Sequence, residues 1–329
     1  MLDVLKAFDR RQFFRFFIDG CQLGKSGWRL SEEREPGFVT AMLAAWELIL
    51  DNFDLSGGVK AGYIKRLHKA CTLNVRMLNP KSSPGDLRYL DSMIMFHAHA
   101  VTPAGLEQLF TWRRGDGAPM FYEPGYDRPA EDLDPEEVLQ AIRRERRLTF
   151  RPWYPRVGDE EAEYLDRKGT MAFTGSFADF YRTKQAIQIA FAVRLDAILA
   201  EFNAAIARAE GAAAKLSAIT CFIRQLEILH AFPDGNGRTY VSALMNHLLL
   251  YHGFYPAILY DKDVNIAISS DEWISAVEEG GENTRRLLED PEARIHGYSI
   301  LDSADLDLTD FRRLSEPLAC KLAAWPGSP

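Results

Sequence analysis

The chain has 329 residues, of which 47% are hydrophobic and 26% charged, and it carries a formal net charge of −8 with a pI near 5.5. That length can bury a substantial core in one large domain or two small ones. The acidic balance lacks the footprint of a nucleic-acid binder, so no DNA or RNA partner is expected, and no apolar run approaches the ~20 residues of a membrane span.

The four cysteines, Cys21, Cys71, Cys221 and Cys320, are far apart and show no metal-ligand spacing. Free thiols in a reducing compartment are the expectation. The first residues are charged too early and too evenly for a signal peptide. A cytoplasmic location is expected, and export as an effector by a route without a readable signal stays open.

In chain order, residues 2–18 read as one amphipathic helix with a dense aromatic face formed by Phe8, Phe13, Phe14, Phe16 and Phe17. After a looser polar stretch, Pro36 can open a helix over 36–52, with Val39, Leu43, Trp46 and Leu50 spaced for burial. A further helix runs from Val59 to about Val75, and its His68 reads as a packed or surface histidine. The turn cluster at 79–86 precedes Leu87–Val101, which is rich in strand formers and predicts a short β-hairpin or flap. His97 and His99 would share a strand face there, in a structural role.

Residues 113–133 are rich in glycine and proline and read as a long loop, followed by a helix over 134–147. The whole of 113–170 reads as an insertion. Ser176 can cap a long helix running to about Ala209. The clearest helical periodicity in the chain is over 212–230, where Leu216, Ile219, Ile223, Leu226 and His230 step by three and four. Further helices are expected over 237–252, 271–289 and 308–324. The fold class is therefore mostly α with one small β element.

The stretch His230-Ala-Phe-Pro-Asp-Gly-Asn-Gly-Arg238 lies between two of these helices. Glycines at 235 and 237 beside a helix N-terminus suit an anion, because orphan N–H groups and the helix dipole point at it. Arg238 adds a forked cation matched to phosphate oxygens. Asp234 makes sense in a phosphate site if it holds Mg²⁺. His230 has an unperturbed pKa suited to taking a proton from a hydroxyl. Together these residues describe transfer of a phosphate-linked group onto a hydroxyl. A plain helix–turn–helix with a polar turn is the bland reading, but it needs far fewer of these residues.

The stretch resembles the signature of the Fic family (filamentation induced by cAMP), H-P-F-x-[D/E]-G-N-G-R-x-x-R, through His230, Phe232, Asp234, Gly235, Asn236, Gly237 and Arg238. The similarity is strongest over about 175–265. Upstream, Pro84-Gly-Asp-Leu-Arg88 is similar to the family's target-binding flap, with Met171–Gly175 as a second flap candidate. The resemblance implies a helical Fic-type domain over 36–290 with a β-hairpin flap, preceded by a helical extension over 1–35 and followed by a helical tail over 291–329. It also implies transfer of a nucleoside monophosphate, most often AMP from ATP, to a Ser, Thr or Tyr hydroxyl of a target protein. In that scheme His230 is the general base and Asp234 the Mg²⁺ ligand. Asn236 and the amides around Gly235 and Gly237 hold the α-phosphate, Arg238 binds the remaining phosphates, and Phe232 anchors the loop.

Two positions depart from the signature: Ala231 replaces the proline, and Val241 replaces the last arginine. The family's last arginine reads the far end of a triphosphate. It also partners an inhibitory glutamate in a [S/T]-x-x-x-E-[G/N] helix. Val241 continues an apolar stripe suited to core packing, and if it borders the site it cannot grip a γ-phosphate. This opens UTP, or CDP-choline as a phosphocholine donor, both used by relatives in the family. Removal of AMP from a modified protein, or a non-catalytic role as a nucleotide-binding regulator, is also compatible with these residues. Ser275–Gly280 fits the inhibitory pattern, with Glu279 as its acid. Ser31–Glu35 fits less well, because Pro36 stands where Gly or Asn is required.

Overall fold

The computed structural model describes residues 2–23, 27–75, 83–89, 92, 94–97, 100–112, 120–122, 136, 138–140, 144, 147–151, 177–295 and 309–325. The chain is mostly helical. Its helices are α1 (Leu2–Ala7), α2 (Trp28–Arg34), α3 (Phe38–Asp51), α4 (Ala61–Thr72), α5 (Pro103–Trp112), α6 (Phe177–Arg208), α7 (Gly211–Leu229), α8 (Asn246–Tyr251), α9 (Ser270–Glu289), α10 (Thr309–Leu314) and α11 (Glu316–Ala324). A π-helical segment, Arg238–Met245, runs directly into α8. Among the described residues, no helix is long and apolar enough to cross a membrane.

Burial follows the apolar periodicity. Helix α3 buries Val39, Met42, Leu43, Trp46, Ile49 and Leu50, and α7 buries Leu216, Ile219, Phe222, Ile223, Leu226 and Leu229. Helix α3 packs on α4, α6 on α7, and the π-helical segment contacts α3, α4 and α7. One hydrophobic cluster draws residues from Leu2 to Leu322. The N-terminal aromatics feed it directly: Phe13 lies edge-on to Trp46 at 5.0 Å, and Phe14 to Phe311 at 5.2 Å. Helix α9 starts with a capping box in which Ser269 and Glu272 satisfy each other's backbone N–H.

Several expectations are corrected. The single helix over 2–18 is broken: α1 ends at Ala7 and a 3₁₀ turn covers Arg10–Phe16. Asp9 causes the break, since its carboxylate accepts the Arg11 N–H at 2.9 Å and caps a new turn. Helix α2 occupies part of the stretch read as loose and polar. The closing helix over 308–324 is divided at Ser315.

The hairpin expected within Leu87–Val101 is not among the described elements. The strand there, β1 (Ile94–His97), pairs antiparallel with β3 (Arg147–Arg151), which also pairs with β2 (Met120–Tyr122). The sheet order is β1-β3-β2, with Ile94 opposite Phe150 and His97 opposite Arg147. Helix α5 follows β1, where no helix was expected. Most of 113–170, Met171–Gly175, Ser176 and His99 lie outside the described residues. Those described within 134–146 (136, 138–140 and 144) are helical.

Candidate active site

Helix α7 ends where His230 turns left-handed, at φ 48°, and donates its backbone N–H to the Leu226 carbonyl at 2.9 Å. A non-glycine residue pays about 1–2 kcal/mol for this conformation, so surrounding contacts must hold it. Arg88 supplies them. Its Nε donates to the His230 carbonyl at 2.5 Å, and its backbone N–H donates to the Ala231 carbonyl at 2.8 Å. The buried Arg88 guanidinium also lies over the Phe191 ring at 4.5 Å. The Pro84–Arg88 segment therefore clamps the start of the loop.

Inside the loop, Asn236 closes a ring with Phe232. Its Oδ1 accepts the Phe232 N–H at 3.0 Å, and its Nδ2 donates to the Phe232 carbonyl at 2.8 Å. The side chain of Asn236, expected to hold phosphate, is buried and bonds the loop's own backbone. It shapes the loop. Phe232 is fully buried and anchors the loop. Gly235 has φ +72°, and a Cβ there would sit 2.6 Å from Thr72 Cγ2. Only glycine lets the loop lie that close to α4. Past Gly237 the chain opens into the π-helical segment. Wide turns of this kind often mark functional positions.

The electrostatics are uneven. Among the described residues, the buried side-chain atoms that lack a hydrogen-bond partner include Glu227 Oε1, His230 Nδ1 and Arg238 Nη1, all within twelve positions of sequence. Buried polar atoms are normally satisfied, so this concentration marks the loop as a place where a ligand could be bound. Burial pulls the His230 imidazole down to about 3, helped by the Arg88 charge and opposed by the Glu227 carbonyl. Burial pushes the Glu227 carboxyl up to about 8, Asp263 adding to the effect and Lys262 opposing it. Asp234 is half-buried, and its Oδ1 accepts the Gly235 N–H at 2.6 Å.

Arg238 is nearly buried, lies over the Phe38 ring at 5.2 Å, and pairs through Nη2 with Glu35 at 2.5 Å. Glu35 thus pairs with Arg238, which is not the arginine that the inhibitory pattern uses, and Glu279 is exposed on α9. Val241 is fully buried in the hydrophobic cluster beside Tyr240 and Leu244. Lys262, paired with the buried Asp19 at 2.6 Å, packs its aliphatic end near Gly237.

The structure therefore brings His230, Asp234, Gly235, Gly237 and Arg238 onto one loop, with Asn236 as its internal latch. Sequence reading missed three contributors. Glu227 was hidden inside an apolar helix pattern, although its place one turn before His230 was a usable signal. His68, read as a packed or surface histidine, and Glu35, weighed only in the weaker inhibitory pattern, gain their roles through contacts across the fold.

No family model matches the chain. Over 317 residues it is 29% identical to the phosphocholine transferase AnkX of Legionella pneumophila. That match covers 90% of this chain and 31% of the relative, so the chain spans about a third of the length of the curated protein to which it is similar.

Proposed function

We propose that this chain is a Fic-type transferase that moves phosphocholine from a diphosphate-linked donor, CDP-choline, to a hydroxyl of a target protein. The observation that carries this reading is that two buried nitrogens without a hydrogen-bond partner, His230 Nδ1 and Arg238 Nη1, flank one glycine-bearing loop at a helix N-terminus. A base and an anion holder are what phosphoryl-group transfer asks for. The similarity to a phosphocholine transferase supports the choice of group.

In the proposed step the acceptor hydroxyl gives its proton to neutral His230 as its oxygen attacks the donor phosphorus. The bond from that phosphorus to the bridging oxygen breaks, and CMP leaves with the electron pair. Burial keeps His230 in the neutral form that a base must start from. The negative charge of a docked diphosphate would raise its basicity. Arg238 and the first-turn amides hold the phosphate oxygens. The donor set also fits Mg²⁺. Asp234 presents one carboxylate beside a phosphate-binding loop, and this ion takes one or two carboxylates plus phosphate oxygens. When bound, it neutralises charge on the diphosphate.

Val241 argues against ATP, because a buried valine offers a γ-phosphate nothing. Glu227 argues for choline, because a buried carboxyl one turn before His230 can face a quaternary ammonium. Transfer of AMP or UMP is the second reading, supported by Arg238, which serves any diphosphate.

Two results are expected in calorimetric titrations. First, CDP-choline should bind more tightly than ATP. Its affinity should rise with pH up to about 8 and then level, because Glu227 carries its proton below that point and must release it to face a cation. Glu227→Gln should flatten this pH profile. Tighter ATP binding with no proton release would sink the choline reading. Second, Glu35→Gln should free Arg238 and tighten CDP-choline two- to fivefold, on the order expected for a pair with one half-exposed partner. Weaker binding in this variant would mean that Glu35 helps to hold the donor.

A further inference from the structure

Helix α4 carries one ring that touches the loop at two residues and the 84–88 segment at a third. The His68 imidazole stacks on Phe232 with ring centroids 3.8 Å apart and planes 10° apart. Its Nδ1 accepts the Gly85 N–H at 2.9 Å, and its Nε2 lies 2.8 Å from the Asp234 carbonyl oxygen. A backbone N–H can only donate, so Nδ1 must be the bare nitrogen. Nε2 then carries the hydrogen and donates to Asp234. Gly85 thus selects the tautomer that Asp234 needs. Burial pulls this ring down to about 4, which keeps it neutral.

The two segments that His68 joins both press against α4. Gly85 has φ +92°, and a Cβ there would lie 3.1 Å from the Lys65 carbonyl oxygen. Gly235 meets α4 at Thr72 in the same way. His68 sits between these two contact points, one turn from each.

We propose that His68 is a positioning residue for the candidate site: by holding the Asp234 carbonyl, it sets the peptide plane that aims the Gly235 N–H and the Asp234 carboxylate. This rests on the function proposed above for that carboxylate. The carbonyl of residue 234 and the N–H of residue 235 share one planar peptide and point in opposite directions. Drawing the carbonyl toward α4 turns the Gly235 N–H to the opposite side, where Asp234 Oδ1 accepts it at 2.6 Å. The carboxylate is then fixed by its own backbone. A tilt of this peptide would break the Gly235 N–H bond to Asp234 Oδ1 and so re-aim the carboxylate proposed to hold the metal.

The test uses the full chain with His68→Phe, which keeps the stack on Phe232 but makes neither bond, and His68→Gln, whose amide can still donate to the Asp234 carbonyl. Hydrogen-exchange mass spectrometry without ligand reads the scaffold directly. In His68→Phe the peptide covering 231–239 should exchange at least about tenfold faster, the factor that a bond worth ~1.4 kcal/mol would give, while 216–226 stays unchanged. In transfer assays His68→Phe should raise the half-saturating Mg²⁺ concentration several-fold, and His68→Gln should bring it back toward wild type. Unchanged exchange over 231–239 in folded His68→Phe would overturn the proposal. If His68→Phe does not fold, the glutamine variant decides: wild-type loop protection supports the proposal and tenfold faster exchange overturns it. Failure of the wild type to transfer from any donor would overturn the function instead, while the exchange result would still decide the role of His68.

Discussion

His230→Ala should cut group transfer by about 10² to 10⁴, the usual contribution of a positioned general base, and leave donor affinity within about twofold. The split follows from the contacts. The backbone of His230 is held by Arg88 and by the end of α7, and neither uses the imidazole. The ring's Nδ1 has no partner to lose, and its contact with the Glu227 carbonyl lies within α7, so its removal should not loosen the loop. Alanine still has to adopt φ near 48°, so the strain stays and stability changes little. Stopped transfer assays at saturating donor, read with calorimetric binding, separate the two quantities. A variant that binds donor normally and keeps more than a tenth of the rate would remove His230 from the chemistry.

Asn236→Ala should destabilise the protein by about 2–5 kcal/mol, because it strands a buried N–H and a buried carbonyl of Phe232 at once. It should also abolish donor binding, since the loop loses the ring that sets its shape. Asn236→Asp is expected to do no better. A carboxylate still accepts the Phe232 N–H, but its second oxygen would face the Phe232 carbonyl. Chemical denaturation gives the stability change, and its slope reports whether the folded state remains compact. A loss below ~0.5 kcal/mol for Asn236→Ala would show that the latch is dispensable.

The long helices were legible because their apolar residues recur at three and four. Over 177–208 and 211–229 the expected bounds fall within a few residues of those observed. The nine-residue stretch was legible because packing does not ask for its combination of residue types. Periodicity hid the rest. Residues 2–18 carry enough apolar side chains for one helix, and only the local bond from Asp9 to Arg11 breaks it. The partner of Ile94–His97 lies about fifty residues away, so no local pattern could place it. Asn236 was found by type and position, yet its role depends on a partner four residues back. Glu35 was weighed only as a poorer fit to a pattern that Pro36 spoils, but the ion pair with Arg238 needs only the carboxylate.

Val241 is where sequence and structure bear on the same question. An arginine there would have pointed to a triphosphate, and a fully buried valine in the hydrophobic cluster does not. The donor is therefore the central claim. It is tested most directly by incubating the protein, Mg²⁺ and a cell lysate with either choline-labelled CDP-choline or α-labelled ATP, then measuring label on protein. The account predicts strong labelling from CDP-choline, lost in His230→Ala, and little or none from ATP. Labelling from ATP alone would contradict it.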